Sequence, residues 1–484
     1  MRKMRPERLV VTLLLLGCGT AASSDTYYVE KTGKDQNTCL SLQQACLTIT
    51  RASQLATRPH DVVRVGPGDF NERVRITRGG EEGAPVLYTA RIGQECPSTV
   101  IQDPNSRGER PAPVTTLRGF SIEASYVTID CFRIVGSNIA GEAGSGVFIA
   151  AKQRNITVTN NVVDASQTPG RPWAGVAMKS NVPPAEFSRD ITVAKNYIRN
   201  TGYGFMIYCG DNCVFADNEV QELKAEGGRG DNDYSRIFGE NVTLKRNYFH
   251  GNRIQDCIDC HIDCFQSYNV GQIDNIARRI VIDGNTCFGA HQAIIVRDTS
   301  SKQAGSYTSH YDWTITNNVL GFGPEGSRST WCVLFDHVGS VVFEHNLCVA
   351  NGFAGYLNGT QAIHRFNLHV NTGWKPYGAE LSGYTNGEVV ATGNLLYRDD
   401  GQYVQSQWKG DIVNQQPLFS DVIGRDFRIT PRSPARDAAH GSTLPFDKTG
   451  QQRPLGSIRD IGPYEQTPTR PFSLPSTDDS RRKR

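Results

Sequence analysis

The chain has 484 residues, with 51 Lys and Arg against 49 Asp and Glu. This near balance, with no basic stripe, leaves no electrostatic case for a nucleic-acid partner. A single globular core rarely grows past about 250–300 residues, so one domain of this length points to a solenoid, in which each coil contacts only its neighbours.

In chain order, Arg2, Lys3, Arg5 and Arg8 precede the run Leu9 to Leu16, which is apolar except for Thr12. That is a secretory signal whose apolar core is too short to span a bilayer. Its end, Leu15-Leu16-Gly17-Cys18, resembles the bacterial lipobox with Cys18 as the lipidated residue; ordinary cleavage near Ala22 to Ser24 is the alternative. The expectation is an exported chain with a signal over 1–17 and a polar spacer over 18–26. It is held at the outer membrane, on the cell surface or in the periplasm, or is otherwise secreted. Removing residues 1–17 takes away four basic residues and one acidic, leaving 47 against 48. Of 13 cysteines, 12 remain beyond Cys18, an even number suited to disulfides in an oxidising compartment. Local spacing suggests Cys39 with Cys46, Cys209 with Cys213 and Cys332 with Cys348, and Cys96 with Cys131 as a longer pair. The order among Cys257, Cys260, Cys264 and Cys287 stays open, and Cys257-x-x-Cys260-His261 also has zinc-ligand spacing.

Residues from Tyr27 to about Pro67 read as an N-terminal cap, with a short helix over 51–57. A phrase of alternating β-branched residues running into asparagine then recurs: Asn155-Ile-Thr-Val-Thr-Asn-Asn161, Asp190-Ile-Thr-Val-Ala-Lys-Asn196, Asn241-Val-Thr-Leu-Lys-Arg-Asn247. One asparagine per phrase gives Asn161, Asn196, Asn218, Asn247, Asn285, Asn318, Asn346, Asn367 and Asn394. A fixed phrase at quasi-regular spacing marks a repeat architecture. Alternation marks strands, and second apolar runs opened by Gly or a small residue, such as Gly204-Phe-Met-Ile207, supply further strands in each coil. No segment keeps a helical period. The reading is all-β: a single-stranded right-handed parallel β-helix with inserted loops, over 27–465. A sandwich or propeller is the alternative. The asparagine suits a turn position in the left-handed region, stacked over coils into a ladder. Residues 466–484, rich in Pro, Thr and Ser, read as a disordered tail.

The opening phrase from Tyr27 to Asp35, the run Arg64-Val-Gly-Pro-Gly-Asp-Phe-Asn-Glu72 and the closing Asp426-Phe-Arg-Ile-Thr-Pro431 resemble those of secreted β-helix polysaccharide lyases and related surface proteins. The resemblance covers both ends and the repeat body. It implies an acidic polysaccharide as substrate and β-elimination as the reaction, with a non-enzymatic adhesin or glycan-binding protein and a glycoside hydrolase as alternatives. A monomer is expected.

Insertions of successive coils tend to share one face, and three adjacent coils pool theirs. The phrase His261-Ile-Asp263-Cys-Phe-Gln266 resembles a His-x-Asp-Gly-Phe/Ile-Gln phrase of secreted β-helix proteins and the Asp-Gly-Phe phrase of calcium-dependent pectate lyases. Here Cys264 replaces the Gly, and the next coil offers Arg297 where that family has Lys. The implied roles are His261, Asp263, Arg297 and Tyr268 in catalysis, Gln266, His291 and Lys179 in substrate binding, and Asp231, Asp233, Asp259 and Asp263 as oxygen ligands to Ca²⁺. The plainer readings are a polar network bracing a turn for His261, Asp263 and Gln266, a loop for Asp231 and Asp233, and solvated strand residues for Arg297 and Lys179.

Overall fold

The computed structural model describes residues 24–90, 96, 111–137, 139–166, 173–224, 229–253, 259–269, 275–298, 307–323, 329–371, 389–401, 403–404, 406 and 408–466. The signal segment with Cys18, Cys257, residues 225–228 and 299–306, Trp374, the side chains of Asp259 and Cys260, and residues 467–484 lie outside the described set.

Alternating apolar residues stack coil on coil. Val158, Val193, Phe215, Leu244, Ile282, Ile315 and Phe343 follow one another in parallel register and are buried. Three columns of parallel strands result. The first includes Ala174–Met178, Tyr203–Asp211, Ser235–Lys245, Asp263–Asn269, Gln292–Asp298 and Ser329–Asp336. The second includes Arg154–Thr159, Ser188–Ala194, Cys213–Ala216, Ala277–Asp283, His310–Thr316 and Gly339–Glu344. The third is made of three-residue strands, among them Tyr197–Arg199, Glu219–Gln221, Tyr248–His250, Thr286–Phe288 and Val319–Gly321. This is the parallel β-helix expected, its bore filled with Phe, Ile, Val and Leu.

All nine marked asparagines stand in one buried ladder at the corner between the second and third columns. The Asn247 side chain is typical. It accepts from Asn218 N–H at 3.1 Å and Asn218 Nδ2 at 3.0 Å, and it donates to Phe215 O at 2.8 Å and Asn285 Oδ1 at 3.0 Å. At the C-terminal end Asp411 takes over the acceptor role below Asn394. One expectation is corrected. The left-handed backbone belongs to the residue before each asparagine: Asn160, Lys195, Asp217, Arg246, Gly284, Asn317, His345, Phe366 and Gly393 all have φ between 52° and 68°. The bend is made there, and that residue's side chain is free to vary. The asparagine is fixed by its amide, which must face inward to meet the next coil.

The capping helix runs Ile49–Leu55, starting two residues before the expected 51. Thr48 sets that start, its hydroxyl accepting from Arg51 N–H at 3.0 Å, and Glu72 accepts from Ile49 and Thr50 N–H at 2.8 and 3.0 Å. Cys39–Cys46, Cys96–Cys131, Cys209–Cys213 and Cys332–Cys348 are bonded as their spacing suggested, and Cys264–Cys287 settles one pairing left open. After Ile412–Val413 the coil gives way to an antiparallel hairpin, Phe419–Asp421 with Asp426–Ile429. Residues 445–465 then fold back over the turns, where Arg453 pairs with Glu465 at 2.5 Å and donates to Asn317 Oδ1 at 3.0 Å. Among the described residues no helix is long and apolar enough to cross a membrane.

Candidate functional site

Two successive coils carry the phrases Asp231-Asn-Asp233-Tyr-Ser-Arg236 and His261-Ile-Asp263-Cys-Phe-Gln266. They stack in parallel, Asp231 against His261 and Arg236 against Gln266. The Asp263 N–H donates to Asp233 Oδ1 at 3.0 Å across the 30-residue step. Acids and their partners are thereby brought to the outward face of the first column, at the start of its strands.

Asp263 Oδ2 is 3.1 Å from His261 Nδ1 and accepts from Gln266 Nε2 at 2.9 Å. Asp231 Oδ1 lies 3.7 Å from the same His261 nitrogen. Arg236 donates through Nε to Asp233 Oδ2 at 2.6 Å and pairs through a second nitrogen with Asp231. Its guanidinium is 4.8 Å from the Tyr203 ring centre and 5.6 Å from that of Tyr268. Asp233 and Asp263 are fully buried, whereas the side chains of Asp231 and His261 are 48% and 38% exposed. The layout is a floor of two buried carboxyls with an exposed carboxylate and imidazole above it. Asp263 Oδ1 is buried and makes no hydrogen bond among the described residues.

Burial raises the Asp263 carboxyl above its ordinary range and the Asp233 carboxyl well above it; next to burial, Arg236 opposes the shift at Asp233 and His261 opposes it at Asp263. Burial alone would lower His261. Its contacts with Asp231 and Asp263 and the charge of Asp233 outweigh that and raise it to about 10, so it stands as imidazolium. Burial favours protonating Asp231 too, but His261 and Arg236 hold it below its usual range. His291, whose ring lies parallel to His261 at 6.3 Å, is lowered to about 4 by burial and the His261 charge, and is neutral. Its Nδ1 accepts from Ile262 N–H at 3.3 Å. Gln292, in register with Asp263, brings its amide within 2.6 Å of His261 Nε2. With imidazolium as the donor there, the amide oxygen is the fitting partner.

Tyr268 and Arg297 are register neighbours on the same outward stripe, followed by Asp336. Arg297, half exposed, reaches Asp336 at 3.6 Å. Lys179 also faces outward, but it sits three coils before Asp263 along the first column and pairs with Glu142. The structure therefore gathers His261, Asp263, Gln266, His291, Asp231 and Asp233, brings Tyr268 to them through Arg236, sets Arg297 further along the strands in register with Tyr268, and leaves Lys179 apart. Arg236 and Gln292 were missed. Laying the two coils over each other at a step of 30 finds Arg236, since an Asp-x-x-Arg then sits on an Asp-x-x-Gln. Trp313 is fully buried in the core.

Asp231, Asp233, His261 and Asp263 each offer one ligand atom, all within 4.8 Å of one another, so this acidic cluster could hold a metal ion. Three carboxylates form a hard oxygen set, and the unbonded Asp263 Oδ1 is a ready ligand. The imidazole departs from an all-oxygen calcium site, while one imidazole with no thiolate is a sparse set for copper.

A family model described as periplasmic copper-binding protein (NosD) matches residues 117–286. No curated protein matches the chain. Among solved structures, pectate lyase Pel9A is 13% identical, with 92% of this chain and 97% of that one covered and a TM-score of 0.53. XylC, solved in complex with xylose, is 10% identical, with 91% and 98% covered and a TM-score of 0.51. What these chains share with the present one is the fold, the right-handed parallel β-helix.

Proposed function

We propose that the chain is an exported β-helix lyase, lipid-anchored through Cys18, that cleaves an acidic polysaccharide by β-elimination. The observation that carries this reading is His261, a half-exposed imidazolium held over buried carboxyls; Tyr268 and Arg297, register neighbours on successive coils, are assigned with it. β-Elimination at a uronate needs a positive charge against the sugar carboxylate, a base for the α-proton and an acid for the leaving oxygen. His261 supplies the positive charge, oriented by Asp263 and Gln292. Arg297 and Tyr268 face the sugar as the pair that takes the α-proton and returns one to the leaving oxygen as the C–O bond breaks. Gln266 and His291 line the site and fix its polar edge.

Asp231, Asp233 and Asp263 are the residues that would hold a divalent cation, with Ca²⁺ favoured by the three carboxylates; His261 would join them only as neutral imidazole. Such an ion supplies charge neutralisation at the uronate carboxylate. Disulfides and the description of the matched family as periplasmic support export.

A glycan-binding role without chemistry is the second reading. It is favoured by the cations already being countered, Arg236 by Asp231 and Asp233 and Arg297 by Asp336. A panel of acidic polysaccharides separates the readings. New ultraviolet absorbance of unsaturated uronides is the expected result. Reducing ends without absorbance would mean a hydrolase, and retention of glycan with neither would mean an adhesin.

A further inference from the structure

Away from the first column, the third column and the C-terminal segment enclose a cavity of about 320 Å³. Its walls include Arg246, Arg425 and Lys448 beside Phe288, Phe427 and Tyr464, and none of the described residues that line it is acidic. Of the neighbouring carboxylates, Asp217 engages a cation of the wall, and Asp283 and Asp447 are bonded elsewhere. Asp217 is held by Arg246 through two bonds of 2.7 Å, Asp283 accepts from Thr316 at 2.7 Å and Asn317 at 3.0 Å, and Asp447 caps Thr449 and Gln451 at 2.8 and 2.9 Å. The Arg425 guanidinium lies over the Phe288 ring at 5.0 Å, so a cation and an aromatic wall meet at one point. The Lys448 ammonium donates to the Gly284 carbonyl, which uses one of its three protons.

We infer that this cavity binds a single anionic sugar ring, a sugar acid or sugar phosphate, with its charged group on Arg425 and Lys448 and a C–H face on Phe288 and Phe427. Guanidinium forks match carboxylate and phosphate oxygens, and the volume sits at the small end of ligand pockets, near one monosaccharide. Burial lowers Lys448 to about 7, against the opposing charges of Asp283 and Asp447, and a bound anion would favour its charged form. The inference does not rest on the lyase reading, since no residue is shared with the His261 site.

The test is calorimetric titration of the full chain with galacturonate, glucose 1-phosphate, neutral xylose and inorganic phosphate. Saturable binding of at least one anionic sugar is expected, with xylose inert and inorganic phosphate weaker. Arg425→Gln and Lys448→Met, each checked for an unchanged melting profile, should weaken binding tenfold or more, while His261→Gln leaves it intact. Arg425→Gln, in the hairpin outside the coil, keeps the test usable if Lys448→Met fails to fold. Absence of binding by both anionic sugars, equal binding of inorganic phosphate, full affinity in folded Arg425→Gln, or loss in His261→Gln would overturn the inference.

Discussion

At the scale of single residues, Asp263 decides what the cluster is for. It is fully buried, bonded to Gln266 and His261, and raised in pKa by burial. Asp263→Ala loses about 1 kcal/mol of hydrogen bonding at Gln266, offset by removing a carboxyl that burial makes costly. Urea unfolding should place the variant within about 1 kcal/mol of the parent. Its activity should fall by roughly 10²-fold or more, because His261 loses its orienting partner. A loss of roughly 3 kcal/mol with activity retained would assign the network to bracing the turn. The residue types and spacing of this site were legible because His261, Asp263 and Gln266 form one phrase. Arg236 was not, because its role depends on which coil lies over which.

At the scale of elements, the asparagine ladder and the interior stack can be tested separately. Asn247→Ala removes the partners of Phe215 O and Asn218 N–H, both inside the coil, while Asn285 Oδ1 keeps the backbone N–H of residue 247. Stranded buried groups cost about 1–3 kcal/mol each, so the expected destabilisation in urea is about 3 kcal/mol or more; under about 1 kcal/mol would deny the ladder its role. In the interior stack His364 follows Phe343 in register, fully buried, and burial lowers its pKa to about 3. The unfolded chain takes up a proton near pH 6.5 that the native His364 refuses, so its contribution is intact above that pH and lost as pH falls towards 3. Between pH 6.5 and 5 the parent should therefore lose about 2 kcal/mol more than His364→Phe. Parallel stability curves over that interval would show that His364 is charged inside the fold. The ladder positions were readable from the recurring phrase. The left-handed residue was not, because Lys195, Arg246, His345 and Phe366 share no side-chain chemistry. Their common property is a place in the bend.

At the scale of the whole molecule, parallel stacking accounts for a single unit of this length, and alternation in the sequence carried that conclusion. The closing of the coil by the C-terminal segment was much less visible, since its contacts span over 100 residues. Arg453 reaches Asn317 across 136 positions and pairs with Glu465, both charges fully buried. Arg453→Ala leaves Glu465 uncompensated and should cost about 3–5 kcal/mol in urea unfolding. A change under about 1 kcal/mol would mean that the segment rests on the coil without bracing it.

Ultraviolet absorbance of the product formed from an acidic polysaccharide decides whether the His261 site is a lyase centre. The purified chain should generate the absorbance of unsaturated uronide ends, and His261→Gln, equally folded, should not. No absorbance from the parent on any uronate polymer, or undiminished absorbance from His261→Gln, would contradict the assignment of the His261 site as a lyase centre.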